Sequence, residues 1–528
     1  WGKSVVERLS KDLKTAFPDA KFGFSPQEAW IESFTADGKI QYQTWTSPSG
    51  WNISSAELRM IKPKNKLIIR YPEIAMSVIT RSNSGEVRAE LVDVGTGTSD
   101  EDYLEKDVSG KLVLATGDAD SVHRLAVLKY GAAAIICYLD DVRTIEHPNM
   151  LQYAEIQPKS DELDHLTFGF NITSQQGHML KKLLSSGKQV VLNAKVEGPG
   201  LEPGSLDVVV AIIPGRENPE QELLYTAHLD HPKESANDNA SGSAAILDIA
   251  RTFKNLINQG QLPRPRRTLR FLWVPELYGT MAYVDAHPEL QGPTLGGNFL
   301  ANLNLDMVGE NLELLHSQMS ITGPPVSISS ALSDVVPVMA EYVDRLDTQS
   351  FHHSSSNFNY RIVPFSNDGD HMIFNDGMIR IPSMMMRHWP DYTRHTSEDT
   401  PDKVDPVELE RSEIIAASTF WYLSNLSETQ SLELVNLVAS KAHGRLASEV
   451  RKAADHLLKV PPDQLEEIYN EGRGIISFAL RKEIQALRSI LHYVSATSTQ
   501  SLVRTWTRTL ESQAQLKIQA LQALMQQR

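Results

Sequence analysis

The spacing of hydrophobic residues divides the chain into regions with different predicted secondary structure. From residue 61 to residue 197, short apolar runs are separated by polar and turn residues, which predicts a mostly β region. Between 198 and 427, apolar runs alternate with amphipathic stretches, and this alternation is typical of an α/β sandwich with a mainly parallel sheet. From 428 to 528, apolar residues recur at helical spacing with a break at Pro461-Pro462, so we expect a helical hairpin or a small bundle. Residues 1–60 form a separate segment that begins with a helical pattern.

The α/β region contains several apolar runs that are followed directly by polar residues. In an open parallel sheet, the carboxyl ends of neighbouring strands meet along one edge, and ligands bind there. Side chains that follow these runs are therefore expected to lie close together. The predicted strands are 208–213, 223–228, 268–274, 300–305 and 384–387, and the predicted helices are 241–257 and 406–426.

Composition and charge exclude several classes of protein. The 528 residues are 41% hydrophobic, which excludes wholesale disorder, and their net charge is −15. Such an acidic chain repels a phosphate backbone, so nucleic acid is not an expected partner. The single cysteine, Cys137, excludes an internal disulfide and a thiolate zinc site. No uncharged apolar run approaches the roughly 18 residues of a membrane span.

The sequence starts at Trp1 rather than at a methionine, which indicates that an upstream piece has been removed. This start fits a lost signal peptide. It favours a secreted, periplasmic or vacuolar-type location over a cytoplasmic one.

Metal-ligating side chains follow the predicted strands of the α/β region one after another. Each has an ordinary structural reading when taken alone; Asp238, for example, precedes a helix and would make a good N-cap. Taken together, two imidazoles and three carboxylates at one sheet edge are a ligand set that zinc accepts. A bridging carboxylate in such a set could hold two ions about 3.5–4 Å apart. The residues are His228, Asp238, Glu276, Asp306 and His395, with Asp230 two positions after His228.

The ordered motifs HLDH, NDNASG, PE, NLDMVG and HTSEDT resemble those of the co-catalytic di-zinc aminopeptidases. The wider clan of that family includes glutamate carboxypeptidase, transferrin receptor and glutaminyl cyclase. The resemblance covers about residues 198–427 and implies a two-zinc site in a zinc-exopeptidase α/β sandwich. It implies that His228 and Asp306 bind one zinc, that Glu276 and His395 bind the other, and that Asp238 bridges them. It also implies that Asp230 fixes the tautomer of His228 and that Asp399 braces the final loop.

The function implied by this resemblance is metal-dependent hydrolysis of N-terminal peptide bonds. The expected substrate is a peptide or an aminoacyl compound with a free N-terminus. Region 61–197 resembles the protease-associated domain, and segment 1–60 is expected to pack on the peptidase domain at 198–427. The β region and the C-terminal helices are expected to restrict access or to mediate self-association into a homo-oligomer, because all candidate ligands lie between 228 and 395.

The glutamate motif departs from the family pattern. The family usually has two adjacent glutamates, a general base followed by a ligand, whereas this chain has Pro275-Glu276. We expect Glu276 to be a ligand, which would leave the base to a residue such as Glu310 or Glu234; the alternative is that Glu276 is itself the base. The departure also leaves open a non-catalytic, receptor-like relative and a single-zinc glutaminyl cyclase.

Overall fold

The computed structural model describes residue 25 and residues 27–159, 161–230, 235–346 and 358–528. The predicted helix near the N-terminus and Glu234 lie outside these residues. The described part of the N-terminal segment contributes a long strand to the α/β domain and a small hairpin beside it. Its strands are β1 (Ala29–Ala36), β2 (Gln41–Tyr42), β3 (Trp45–Thr46) and β4 (Gly50–Asn52).

The β-rich domain is built on a sheet whose seven described strands run in the order β10-β9-β8-β7-β11-β5-β6. One end of this sheet is parallel and carries the strand–helix–strand unit expected from the sequence. The strands are β5 (Ser55–Lys62), β6 (Lys66–Tyr71), β7 (Gly85–Asp93), β8 (Leu112–Ala115), β9 (Ala134–Tyr138), β10 (Gly169–Ile172) and β11 (Val191–Glu197). The helices are α1 (Ala119–His123), which continues as a wider turn over Arg124–Lys129, α2 (Arg143–Glu146) and α3 (Ser174–Ser185). The resemblance of this domain to the protease-associated domain stays a prediction.

The α/β domain follows the short strand β12 (Gly200–Glu202) and contains a mixed sheet between helices. Its eight described strands run in the order β1-β13-β15-β14-β16-β19-β17-β18, and β15, β14, β16 and β19 are mutually parallel. The strands are β13 (Gly204–Ile213), β14 (Asn218–His228), β15 (Arg267–Val274), β16 (Phe299–Leu305), β17 (Met319–Thr322), β18 (Tyr360–Val363) and β19 (Ser383–His388). The helices are α4 (Gly242–Asn258), α5 (Tyr278–Ala286), α6 (Leu312–Leu315), α7 (Leu332–Arg345), α8 (His371–Phe374) and α9 (Pro406–Ser424).

The four parallel strands are apolar because helices cover both faces of the sheet. Every residue of β16 is buried, as expected for a central strand of a two-sided sheet. One face packs against α4, α7 and α9, and the other packs against α5 and the segment around α8. This arrangement confirms the predicted α/β fold and brings the carboxyl ends of β14, β15, β16 and β19 to one edge.

The C-terminal region forms three long helices that share part of the apolar cluster of the sheet and also bury a smaller cluster of their own. These are α10 (Glu428–Lys459), α11 (Leu465–Ser489) and α12 (Thr497–Gln527), and the break between the first two lies at the predicted Pro461-Pro462. Their buried residues Leu434, Val438 and Leu487 belong to the same apolar cluster as the sheet. Removing these helices would therefore expose the core of the α/β domain. None of the helices in the described residues has the length and apolar character required to cross a membrane.

The β-rich domain contacts the α/β domain through a short antiparallel contact next to a predicted ligand. Gln152 pairs with Thr396, and the main-chain N–H of Ser397 donates to the carbonyl of Leu151 at 2.9 Å. The N–H of Tyr153 donates to the carbonyl of His395 at 2.6 Å. The β-rich domain therefore supports the loop that carries His395.

A buried ion-pair network joins the C-terminal helices to α7. Arg445 on α10 lies 2.5 Å from Asp334 on α7 and 2.6 Å from Glu483 on α11. Both carboxylates are almost fully buried, with side-chain exposures of 3% and 2%. Their charges are therefore compensated mainly by this one guanidinium.

We predict that Arg445→Met destabilises the protein by about 3 kcal/mol, because it leaves two buried carboxylates without their cation. Chemical or thermal unfolding measures the change. The matched control is Arg451→Met, an exposed arginine on the same helix. Equal stability of the two variants would contradict this role for Arg445.

Candidate metal centre

The predicted ligands come together at the carboxyl edge of the parallel strands. His228 is the last residue of β14, and Asp306 directly follows β16. Asp238 comes from the turn that leads into α4. His395 lies on the loop after β19, next to the contact with the β-rich domain. This edge is where an open α/β sheet places its ligands.

Asp238 lies between the two histidines. The His228 Nε2 atom is 3.2 Å from Asp238 Oδ1 and 3.3 Å from Asp306 Oδ1. The His395 Nε2 atom is 3.0 Å from the other oxygen, Asp238 Oδ2. His228, Asp238 and Asp306 are buried, and each offers one ligand atom within 4.8 Å of the others. The two oxygens of Asp238 thus face two separate imidazoles.

The residue expected to orient His228 does so through its main chain. The His228 Nδ1 atom is 2.9 Å from the Asp230 carbonyl oxygen, whereas the Asp230 carboxylate is 3.8 Å away. A protonated Nδ1 that donates to this carbonyl leaves the Nε2 lone pair facing Asp238 and Asp306. The Asp230 carboxylate instead accepts the main-chain N–H of Glu276 at 2.6 Å. Asp230 therefore connects the strand ends that carry His228 and Glu276.

The loop around Asp238 is held by polar side chains behind the cluster. The Asp399 carboxylate accepts the main-chain N–H groups of Asn237 at 2.8 Å and Asp238 at 3.0 Å. The Asn239 side chain accepts the N–H of Met307 at 3.1 Å, which fixes the residue after Asp306. Burial raises the pKa of Asp399 to about 7 despite these hydrogen bonds. Asp399 thus braces the loop of Asp238, whereas the sequence resemblance implies that it braces the final loop after His395.

Three residues at the site have backbone conformations that side chains rarely adopt. Leu277, Met307 and His395 have φ values of 58°, 60° and 57°. Each lies at or directly after a candidate site residue. Such conformations cost about 1–3 kcal/mol each and persist where the surrounding structure holds them. At this site, the left-handed conformations accompany the convergence of side chains from the ends of different strands.

Glu276 lies beside the cluster but outside the group of three. Its side chain is partly exposed, and its carboxylate has no hydrogen-bond partner in the described residues. Desolvation raises its pKa to about 8, and the nearby Asp306, Asp370 and Asp230 add to this effect while His228 opposes it. The geometry suits a carboxylate that accepts and releases a proton near neutral pH.

Two buried oxygens of the cluster indicate a cation. In the described residues, Asp238 Oδ2 and Asp306 Oδ1 accept no well-directed hydrogen bond, although nitrogens of His395 and Arg394 lie 3.0 and 3.1 Å from the first and a His228 nitrogen lies 3.3 Å from the second. Burial disfavours protonation of His228, but Asp306 and Asp238 raise its pKa well above the usual value. The carboxylates therefore attract positive charge strongly. Carboxylate oxygens and imidazole nitrogens together fit zinc.

The sequence analysis gave no role to Asp370, although the structure brings it to the site. One oxygen of its fully buried carboxylate accepts the N–H of Leu277 at 2.8 Å and the hydroxyl of Thr280 at 2.5 Å, and the other has no partner. Burial raises the pKa of Asp370 to about 6. In the sequence, the Gly369-Asp370-His371 motif at the start of α8 could have indicated this residue.

The candidate base Glu310 lies away from the cluster centre. Glu310 is fully buried and accepts the Ser317 hydroxyl at 2.8 Å, and burial raises its pKa to about 9. It therefore faces a hydroxyl and not the metal cluster.

Part of the chain is similar in sequence to known peptidases. Residues 208–420 match the model described as Peptidase family M28. The chain is 26% identical over 217 residues to "Probable glutamate carboxypeptidase AMP1" of Arabidopsis thaliana, covering 40% of this chain and 29% of that protein. It is 30% identical over 130 residues to "Aminopeptidase NAALADL1" of Mus musculus, covering 24% and 17%. The chain thus spans less than a third of the length of either curated relative.

The fold has solved counterparts as well. The zinc aminopeptidase BSAP from Bacillus subtilis superposes with a TM-score of 0.55 at 17% identity. The superposition covers 79% of this chain and 88% of that structure. The family predicted from the sequence is confirmed. Residues 208–420 thus match peptidase family M28, and the fold is that of a solved zinc aminopeptidase.

Proposed function

We propose that the protein is a zinc-dependent aminopeptidase that removes N-terminal residues from peptides. The observation that carries this proposal is the position of Asp238 between His228 and His395, with one carboxylate oxygen facing each imidazole. His228 and Asp306 would hold one zinc ion, His395 would hold a second, and Asp238 would bridge them. The mouse relative and the Bacillus structure are both named as aminopeptidases, which supports this proposal.

Bound zinc would supply Lewis acidity, which lowers the pKa of a coordinated water toward neutrality and polarises a carbonyl. The protein's own residues would then move protons and orient the reactants. Glu276 would take the proton of the attacking water and return it to the leaving amine, since its carboxylate is uncommitted and its pKa is near neutral. The excess of carboxylates around Glu276 favours a substrate with a cationic α-ammonium group.

We assign Glu276 to proton transfer rather than to metal binding, although the sequence alone favours a ligand. Within the described residues its carboxylate contacts neither His228 nor His395, whereas His395 Nε2 lies 3.0 Å from Asp238 Oδ2. Asp230 anchors its main chain. Tyr278 donates its N–H to the Glu276 carbonyl at 2.6 Å across the left-handed Leu277, which makes a tight turn. These contacts fix the main chain of Glu276, and its carboxylate accepts no hydrogen bond within the described residues.

We predict that Asp238→Asn loses at least one zinc equivalent and nearly all activity, because a neutral amide oxygen replaces the anionic bridge. Elemental analysis of the purified protein, together with turnover of aminoacyl and peptide substrates, measures both effects. Asp402→Asn is the control, since Asp402 is 69% exposed on a nearby loop. If the Asp238 variant kept two bound zinc ions and normal turnover, Asp238 would have only a structural role.

We predict that Glu276→Gln keeps both zinc ions and lowers the rate by about 10²–10⁴-fold, the usual share of general acid–base catalysis. Zinc content and turnover are measured on the same preparation. Glu289→Gln, at a 64% exposed side chain, is the matched control. Loss of zinc from the Glu276 variant would show that this residue is a ligand and that the base lies elsewhere.

The zinc count also separates this proposal from the alternatives. A wild-type protein with two zinc ions that hydrolyses N-terminal peptide bonds supports an aminopeptidase, and a chelator should abolish its activity. One zinc ion with conversion of N-terminal glutamine would identify a cyclase. Absence of turnover on every aminoacyl and dipeptide substrate by the zinc-loaded protein would identify a non-catalytic relative.

A further inference from the structure

Arg394 places a positive charge directly at the metal centre. Its Nε atom is 3.1 Å from Asp238 Oδ2, the oxygen that also faces His395. About a third of the Arg394 side chain is exposed, at 34%. Within the described residues, Asp238 is the one carboxylate in ion-pair contact with this guanidinium. No hydrogen bond from its terminal nitrogens is found within the described residues, so these donors can meet a group that enters the site.

The main chain at Arg394 is held by a hydrogen bond within its own loop. The main-chain N–H of Arg394 donates to the buried Asp391 carboxylate at 2.9 Å. His395 follows in a left-handed conformation, and its carbonyl accepts the N–H of Tyr153 from the β-rich domain. Hydrogen bonds at Arg394 and at His395 thus hold the main chain of Arg394 at the site, while part of its side chain is exposed.

Two other arginines near the site already form ion pairs with carboxylates of this chain. Arg143 pairs with Asp141 at 2.7 Å and lies next to the carbonyl of Tyr392. Arg387 pairs with Asp368. Arg394 differs because its partner, Asp238, is the proposed bridge between two zinc ions. A carboxylate whose charge is shared by two dications attracts a guanidinium far less strongly.

We propose that Arg394 binds a carboxylate of the substrate close to the scissile amide. This inference rests on the proposed aminopeptidase function and specifies its substrate class. A guanidinium binds a carboxylate through two parallel hydrogen bonds, which a neutral amide cannot match. The carboxylate has two possible sources: the C-terminal carboxylate of a dipeptide, or the acidic side chain of the N-terminal residue.

Two substrate pairs distinguish these sources. Leu-Leu is compared with Leu-Leu-amide, and Glu-p-nitroanilide is compared with Gln-p-nitroanilide. In at least one pair, the zinc-loaded wild type should prefer the carboxylate member by about 10- to 100-fold in kcat/KM, the range of a charge-assisted hydrogen-bonded pair. A preference in the first pair identifies the dipeptide terminus, and a preference in the second identifies the side chain.

The Arg394 variants test whether this residue causes the preference. Arg394→Met should bring the ratio close to one, and Arg394→Lys should restore part of it, because lysine keeps the charge without the planar fork. Arg143→Met is the matched control and should keep the wild-type ratio, since Arg143 is already paired with Asp141. An unchanged ratio in Arg394→Met would overturn the inference.

Binding provides a second measurement that does not depend on turnover. Calorimetry compares the reduced-amide analogue of Leu-Leu with its C-terminal amide, and an analogue of Glu-Leu-amide with one of Gln-Leu-amide. The carboxylate member of the preferred pair should bind wild type about 10- to 100-fold more tightly, and Arg394→Met should lose this difference. Equal affinities and equal turnover in every pair, with zinc bound, would refute the role of Arg394 and leave the aminopeptidase proposal intact. Absence of zinc and of all turnover would instead refute the aminopeptidase proposal.

Discussion

Repulsion among carboxylates at one edge of the sheet is the constraint on which the rest of this site depends. Burial raises the pKa of Glu276, and the carboxylates of Asp306, Asp370 and Asp230 raise it further, while Asp238 faces the same histidine as Asp306. A group of this kind is stable only if positive charge compensates it, since each buried carboxylate loses its hydration. Arg394 supplies part of this charge, and the imidazoles of His228 and His395 face the same carboxylates. The nitrogens of these three residues make no well-directed hydrogen bond to Asp238 Oδ2 or Asp306 Oδ1 in the described residues, and the two oxygens mark where a further cation fits.

The fold serves to hold these like charges at fixed positions. Parallel strands bring His228, Glu276 and Asp306 to one edge, and left-handed residues next to them turn the side chains inward. Asp399 fixes the loop of Asp238 from behind. The β-rich domain adds the last support, because Tyr153 holds the carbonyl of His395. That domain is therefore part of the scaffold of the site as well as a neighbour of its opening.

Much of this arrangement could be predicted from the sequence because it follows from strand periodicity. Apolar runs that end in His228, Pro275-Glu276 and Asp306 indicate strands whose ends meet, and the structure places those residues together. The sequence could not show that Asp230 orients His228 through its carbonyl, because the atom that is used depends on the local turn. Nor could it show Tyr153 or Arg394 at the site. Tyr153 arrives by a contact between domains, and an arginine before a histidine reads as an ordinary surface residue.

The most direct test of this account is anomalous diffraction from a zinc-loaded crystal, recorded on both sides of the zinc absorption edge. The account predicts two peaks about 3.5–4 Å apart on either side of the Asp238 carboxylate. One peak should lie beside His228 and Asp306, and the other beside His395. The Arg394 guanidinium should have moved away from Asp238. A single peak, or no peak at Asp238 with Arg394 still paired to it, would contradict the central claim that Asp238 bridges two metal ions.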